Sequence, residues 1–386
     1  MSDWKTVRLG DVCEIARGGS PRPINDYITT DENGINWIKI GDTSSDSKYI
    51  ERTEQKIKPE GMKKSRYVHS GDFILSNSMS FGRPYILKID GCIHDGWLVL
   101  QNIQNDIDKD YLYCVLSSPS AYHQFERMAV GGVVNNLNSD KVKELIFPLP
   151  PLEKQKQIAK ILDKCNILII KHKQMVEKYD ALIKSRFIEM FGDIQKYEKL
   201  SSFSTLITKG ASPRWQGIEY TDEGTLFITS ENVRERYIDY SKKKFLPANI
   251  NDILPRSILK KNDVLINIVG ASIGRAAIFD SDLLANINQA VALVRLDFNK
   301  IDELFLVTYL NSENALKMYS EMKKGGARDN LSLQNISDLK IPICDLKSQK
   351  KFAAFVQQID KSKFVVQKSL EKAETLYKSL IQEYFG

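Results

Sequence analysis

The chain has 386 residues, is 42% hydrophobic and 27% charged, and carries a formal net charge of +6. This composition excludes a largely disordered protein, and no apolar run approaches the ~20 residues needed to span a bilayer. Five scattered cysteines exclude a disulfide framework and a CxxC zinc knuckle, and Met1-Ser2-Asp3-Trp4 opens no signal peptide, so a reducing, cytoplasmic location is expected.

In chain order, residues 1–150 read as mixed α and β. Strand-like runs fall at Ile35–Ile40, Phe73–Leu75, Tyr85–Ile89 and Trp97–Leu100, and apolar spacing predicts a helix over Asp110–Met128. The cluster Phe147-Pro148-Leu149-Pro150-Pro151 then enforces an extended entry to a different pattern. Ile158, Leu162, Cys165, Ile169, His172, Val176, Tyr179 and Ile183 follow at alternating steps of four and three, which is a heptad seam. No Pro or Gly interrupts it, so residues 151–192 are expected to form one helix of roughly 60 Å at ~1.5 Å per residue.

Residues 193–344 return to mixed α and β, with strand-like runs at Leu226–Thr229, Val264–Ile268 and Ala290–Leu296 and a helix predicted over Ile301–Lys323. Residues 345–386 then carry a second seam through Phe352, Val356, Ile359, Lys363, Val366, Leu370, Ala373, Tyr377, Leu380 and Tyr384. His172 and Lys363 are the polar defects in the two seams.

These halves are copies of one another. An offset of 194 maps Pro148 to Pro342, Gln155 to Gln349, Gly131-Gly132 to Gly325-Gly326, Asn136-Leu137 to Asn330-Leu331, and Lys184-Ser185 to Lys378-Ser379. Upstream, Gly82-Arg83 matches Gly274-Arg275 and Ser20-Pro21 matches Ser212-Pro213 at 192. A period this long is a duplicated domain with its connector, not a solenoid unit. The fold expected is α+β: two pseudo-repeated mixed α/β domains, each followed by a long helix, with the two helices forming an antiparallel coiled coil. The alternative is that each helix packs on its own globular part.

Charge is distributed unevenly. Lys and Arg against Asp and Glu number 18 and 20 over residues 1–150, 9 and 5 over 151–192, 20 and 19 over 193–344, and 8 and 5 over 345–386. The basic surplus lies in the helices, so an anionic partner would have to be bound through local patches and with help from other subunits.

The chemistry of common catalysts is absent from the sequence. Gly270-Ala271-Ser272-Ile273-Gly274-Arg275 has neither the spacing nor the lysine of a phosphate-binding Walker loop, and no GxGxxG or HExxH occurs. The four histidines (His69, His94, His123 and His172) are isolated, and the Asn/Asp-Pro-Pro-Tyr/Phe box of amino-methyltransferases is missing.

The order of Leu9-Gly10-Asp11-Val12, Gly18-Gly19-Ser20-Pro21, Ser70-Gly71-Asp72-Phe73-Ile74-Leu75, Gly82-Arg83, Gly131-Gly132, Asn136-Leu137 and Pro148-Leu149-Pro150-Pro151-Leu152-Glu153-Lys154-Gln155 resembles the specificity subunit of type I restriction–modification enzymes. The second copy departs from the pattern at Leu206-Ile207-Thr208-Lys209-Gly210 and at Ile341-Pro342-Ile343-Cys344. The resemblance implies that each globular copy is a target-recognition domain for one half of a bipartite double-stranded DNA site, with the helices setting the spacer. It implies a non-catalytic chain without cofactor of its own. Two modification subunits would carry S-adenosylmethionine and methylate adenine, and restriction subunits would supply ATP- and Mg-dependent functions. A stand-alone bipartite DNA-binding regulator and a non-catalytic coiled-coil scaffold are the rival readings.

Candidate DNA contacts in the first copy are Arg17, Gly18, Gly19, Ser20 and Arg22, a glycine loop between arginines whose amides could approach phosphates. Its counterpart holds Lys209, Ser212 and Arg214; a tight turn with solvated cations is the alternative. Arg83 and Arg275 are assigned to phosphates, or else to ion pairs within each domain. Asn135, Asn136, Arg328 and Asn330 could read adenine or cap a helix. Trp215 and Gln216, with Ser230-Glu231-Asn232, lie where the copies differ and are candidates for base reading. Gly71-Asp72 and Asn262-Asp263 read as turns before buried strands.

Overall fold

The computed structural model describes residues 4–44, 47–77, 82–129, 137–213, 217–324 and 330–386. The chain divides into two units, residues 1–174 with 367–386 and residues 175–366.

In the first unit, the entry strand Lys5–Arg8 pairs antiparallel with the exit strand Ile146–Leu149. Between them lie two five-stranded sheets. In one of them Trp97–Gln101 is held antiparallel between Glu14–Arg17 and Phe73–Ser76. Alternation along this strand sends Leu98 and Leu100 into a core with Phe73, Leu75, Tyr111 and Phe125, and Trp97 and Val99 into another with Ile74, Tyr85 and Ile93. The strand is therefore buried on both faces, which explains its continuous apolar run.

The helix expected over Asp110–Met128 is two helices, Lys109–Leu116 and Pro119–Ala129. Pro119 lacks the N–H that an uninterrupted helix would need, so the chain restarts at Ser118, whose hydroxyl accepts from the Ala121 amide at 3.1 Å. The second unit breaks at the matching place, into Glu303–Leu310 and Glu313–Lys324, around Asn311 and Ser312. Its entry strand Tyr197–Lys199 pairs with Lys340–Pro342, and Val291–Leu296 is the central strand between Ser204–Lys209 and Val264–Asn267.

The five cysteines are free. Burial pushes the thiols of Cys13 and Cys114 up to about 12, which keeps them protonated and unreactive.

Both long helices are continuous, Leu152–Phe191 and Leu346–Phe385. In the first unit Ile158 and Leu162 share a core with Ile381 and Phe385, and Lys173 meets Glu374 at 3.2 Å farther along. In the second unit Phe187 and Phe191 pack on Phe352, and Asp180 meets Lys363. Within each unit the helices therefore run antiparallel. Ile158, Leu162, Cys165, Ile169, Ile183, Phe352 and Val356 are buried, and Val176, Tyr179, Ile359, Val366, Leu370, Tyr377 and Leu380 are half-buried.

The helix ends depart from the expected seam. Ile381 and Phe385 are more buried than Leu380 and Tyr384, and Phe187 and Phe191 carry the first seam past Ile183. Both ends contact globular parts as well as the other helix: Phe385 lies 5.6 Å from Tyr111, and Phe187 stacks 5.5 Å from Phe305. These end contacts are with the other copy's globular part, whereas each helix packs on its own copy near its start, Ile158 and Leu162 in the first and Phe352 and Val356 in the second, so helix pairing and packing on the globular parts occur together.

Each globular part is joined to its following helix by the same device. Gln155 is 1% exposed; its Oε1 accepts from the Asp108 amide at 2.8 Å and its Nε2 donates to the Asp106 and Pro150 carbonyls. Gln349, 2% exposed, accepts from the Asp302 amide at 2.9 Å and donates to the Cys344 carbonyl. The carboxylates of Asp108 and Asp302 in turn cap the next helix. A second tether is ionic: Lys48 reaches Asp163 at 3.2 Å and Asp110 at 2.9 Å, and Arg236 reaches Asp360 at 2.6 Å.

Candidate nucleic-acid interface

In the first copy, strand Glu14–Arg17 runs into Gly18, whose Cβ, if present, would collide with the His94 carbonyl. Glycine is therefore required by backbone approach. The Gly18 amide donates to the Trp97 carbonyl at 2.9 Å and the Gly19 amide to that of Ile93 at 3.2 Å. The expected cradle of free amides is corrected at these two positions: both amides are committed to backbone carbonyls, which shifts the weight of any phosphate contact toward the loop's side chains.

Those side chains converge on Asp95. Ser20 Oγ donates to Asp95 Oδ1 at 2.8 Å, Arg22 approaches Oδ2 at 3.4 Å, and Arg17 Nε donates to the Asp95 carbonyl at 3.0 Å. Asn77 donates to the same carbonyl. Partial burial works to raise the Asp95 pKa, but the Ser20 hydroxyl, His94 and Arg22 outweigh it and hold the carboxyl below its ordinary value. The Arg22 side chain remains 83% exposed, and Arg17 is exposed too.

Arg66 joins this surface through Nε, which donates to the Arg17 carbonyl at 2.7 Å, and the Lys64 backbone abuts Gly19. Both residues are exposed, as are Met62, Lys63 and Tyr67. The sequence reading missed this segment. Its signal was the run Met62-Lys63-Lys64-Ser65-Arg66-Tyr67, three cations in four residues followed by an aromatic side chain able to stack.

Arg83 is exposed and stacks 5.3 Å from the Tyr85 ring centroid, while Arg275 is half-buried. Each follows a glycine with positive φ, +79° at Gly82 and +89° at Gly274. The Gly82 and Gly274 amides donate to the Ser76 and Asn267 carbonyls. Arg83 and Arg275 thus leave matching turns, with different exposure.

In the second copy Lys209 is exposed at its strand end and Ser212 is half-buried. Gly210 abuts the Ile287 and Asn288 carbonyls as Gly18 abuts that of His94. Asn330 is exposed and bridges Val269. Asn135, Asn136, Arg214, Trp215, Gln216 and Arg328 lie outside the described residues.

The base-reading role for Asn232 is corrected. It is buried, its Oδ1 accepts from the Thr229 amide and hydroxyl, and its Nδ2 donates to the Asp239 and Lys242 carbonyls. Four bonds leave it holding a loop together. Glu231 pairs with Lys244 at 3.0 Å. Asp72 and Asp263 close turns by accepting from the His69 and Lys260 amides. Among the described residues no group of three His, Cys, Asp or Glu side chains could hold a metal ion, and no helix is long and apolar enough to cross a membrane.

The duplicated domain, each copy followed by a long helix, is matched by one family twice over. The type I restriction modification DNA specificity domain matches residues 1–178 and again 199–374. The chain belongs to that family. It is 23% identical to the type I restriction enzyme MjaVIII specificity subunit of Methanocaldococcus jannaschii, covering 98% of this chain and 91% of the relative. It is 22% identical to the EcoBI specificity subunit of Escherichia coli, covering 99% and 85%. The fold is also similar to the solved type I restriction–modification S subunit of M. genitalium, with a TM-score of 0.64 at 15% identity over 100% of this chain and 96% of that one. A chain solved in a study of type I assembly and conformational transition gives a TM-score of 0.59 at 16% identity over 99% and 97%. As a type I specificity subunit, the chain serves DNA recognition.

Proposed function

We propose that this specificity subunit reads a two-part double-stranded DNA target, one half per globular copy, and that the paired helices set the unread gap. The carrying observation is the repeated buried joint, Gln155 with Asp108 and Gln349 with Asp302, which fixes each copy to the first turn of its own stiff helix. Two readers on a stiff connector select half-sites by separation, as two-fold dimers do, and the tether makes the second contact intramolecular.

Partner docking belongs to the same reading. Ile161, Leu168, Met175 and Leu182 recur every seven residues on the first long helix and are 42–50% exposed. They lie one position before the seam residues Leu162, Ile169, Val176 and Ile183, and Lys164, Lys171 and Lys178 flank them. An apolar stripe of this kind suits a further amphipathic helix from a modification subunit. The near-neutral globular copies fit a division in which partner subunits add to DNA affinity and carry S-adenosylmethionine, and restriction subunits carry ATP and Mg.

The test is co-expression with the modification subunit of its own type I system, followed by mapping of methylated adenines. A two-part motif with a fixed gap is expected, and methylation that survives deletion of this chain would overturn the reading. Inserting four residues after Lys171 adds ~6 Å of helix. A changed gap or lost methylation is expected; an unchanged gap would overturn the spacer role.

A further inference from the structure

The two copies share one turn whose frame is the same and whose tip is not. In the first copy strand Gly91–Ile93 leads through His94, Asp95 and Gly96 into Trp97–Gln101. In the second, Ala285–Ile287 leads through Asn288, Gln289 and Ala290 into Val291–Leu296. The turn closes by Trp97 N–H to the His94 carbonyl at 3.1 Å, and by Val291 N–H to the Asn288 carbonyl at 3.2 Å.

Even the side-chain bond inside the turn is conserved in form. His94 Nδ1 accepts from the Gly96 amide at 2.8 Å, and Asn288 Oδ1 accepts from the Ala290 amide at 3.2 Å. Gly18 and Gly210 press on the same carbonyls, and the Gly96 and Ala290 carbonyls accept from the Asn77 and Ile268 amides. His94 and Asn288 are therefore part of the frame.

What differs is the tip. Asp95 presents an acceptor-only carboxylate toward Ser20 and Arg22 in the basic loop. Gln289 is exposed, with a carboxamide that both donates and accepts, and it makes no side-chain hydrogen bond with the described residues. A carboxylate among cations that seek phosphate repels the duplex unless it meets a donor. The donors that a duplex offers in its major groove are the exocyclic amines of cytosine and adenine. A glutamine in the same place pairs with the N6 and N7 edge of adenine.

From this frame with exchanged tips we infer that Asp95 and Gln289 read base edges in their respective half-sites: Asp95 a cytosine or adenine amine, Gln289 an adenine. This rests on the two-part reading above and names the positions at which the halves acquire different sequences.

The experiment uses the assembled methyltransferase complex with the wild-type chain, Gln289→Glu and Asp95→Asn, each challenged with duplex libraries randomised in one half-site at a time. Gln289→Glu is expected to change preference at one base position of one half by roughly ten- to a hundredfold, leaving the other half as in the wild type. Asp95→Asn is expected to do the same in the opposite half. Wild-type preferences at every position in Gln289→Glu, or an equal weakening of both halves, would overturn the inference. Gln289 is exposed and has no side-chain hydrogen-bond partner among the described residues, so that variant decides the matter even if Asp95→Asn fails to fold. A wild-type complex with no two-part preference would instead overturn the reading on which the inference stands.

Discussion

The ammonium of Lys363 lies 2.6 and 2.7 Å from the two carboxylate oxygens of Asp180, inside the seam between the second long helix and the first. What the heptad pattern shows as a defect is thus a paired charge. Removing Asp180 leaves a largely buried ammonium unanswered, whereas removing Lys363 leaves an acid with access to water. Asp180→Ala is expected to destabilise the second unit by about 2 kcal/mol, and Lys363→Met to be near neutral or stabilising. Urea midpoints of the two variants check the asymmetry; equal losses would show that the pair contributes mainly by attraction.

The buried glutamines give a matched pair of tests. Gln155→Leu orphans the Asp108 amide and two carbonyls, and Gln349→Leu orphans the Asp302 amide and the Cys344 carbonyl. Each substitution is expected to cost about 2–4 kcal/mol. Hydrogen exchange reads the effect at its source: the Asp108 or Asp302 amide should lose protection, each only in its own variant.

Gly82 and Gly274 combine a left-handed backbone with an aromatic ring overhead. A Cβ on Gly82 would stand 2.9 Å from Phe125 Cδ2, and one on Gly274 would come closer still to the Tyr319 ring. Tyr319 is fully buried, with its hydroxyl donating to the Leu310 carbonyl. Both alanine variants should lose stability, by about 2 kcal/mol for Gly82→Ala and more for Gly274→Ala, where the ring cannot retreat. Thermal unfolding of the two proteins ranks them.

His94 makes the first copy sensitive to acid. Its Nδ1 must be unprotonated to accept from the Gly96 amide. Burial lowers its pKa from the ordinary 6.5; Asp95 opposes this, and Lys39 and Arg17 assist it. The unfolded chain therefore binds the proton more readily than the folded one, so the contribution is complete above pH 6.5 and declines as pH falls below that value. His94→Asn reproduces the Asn288 turn and should remove this part of the decline. Unfolding followed from pH 8 to 5.5 is the measurement; an unchanged slope in the variant would refute the role.

The seams and the duplication were legible because they are one-dimensional: heptad spacing and constant offset survive in sequence without knowledge of contacts. Gln155 and Gln349 appeared in that register as a repeated pair, but nothing in the register says that they would be buried and bonded to amides 47 residues upstream. The helix expected over Asp110–Met128 failed at Ser117-Ser118-Pro119, where apolar spacing carried through a break that proline and capping dictate. In the candidate interface, glycine drew attention to Gly18 for the wrong reason, since its amide belongs to the sheet. Arg66 and Lys64 were missed because the chain brings them to Arg17 and Gly19 only through pairing of Arg66–Val68 with Gly91–Ile93.

The pairing of Lys5–Arg8 with Ile146–Leu149, and of Tyr197–Lys199 with Lys340–Pro342, has a mechanical meaning. Each globular copy leaves and rejoins the chain through a laced neck, so insertions or wholesale rewriting of the surface beyond it leave the attachment point undisturbed. Substitutions can accumulate within either copy while the paired strands that anchor it to the chain stay as they are.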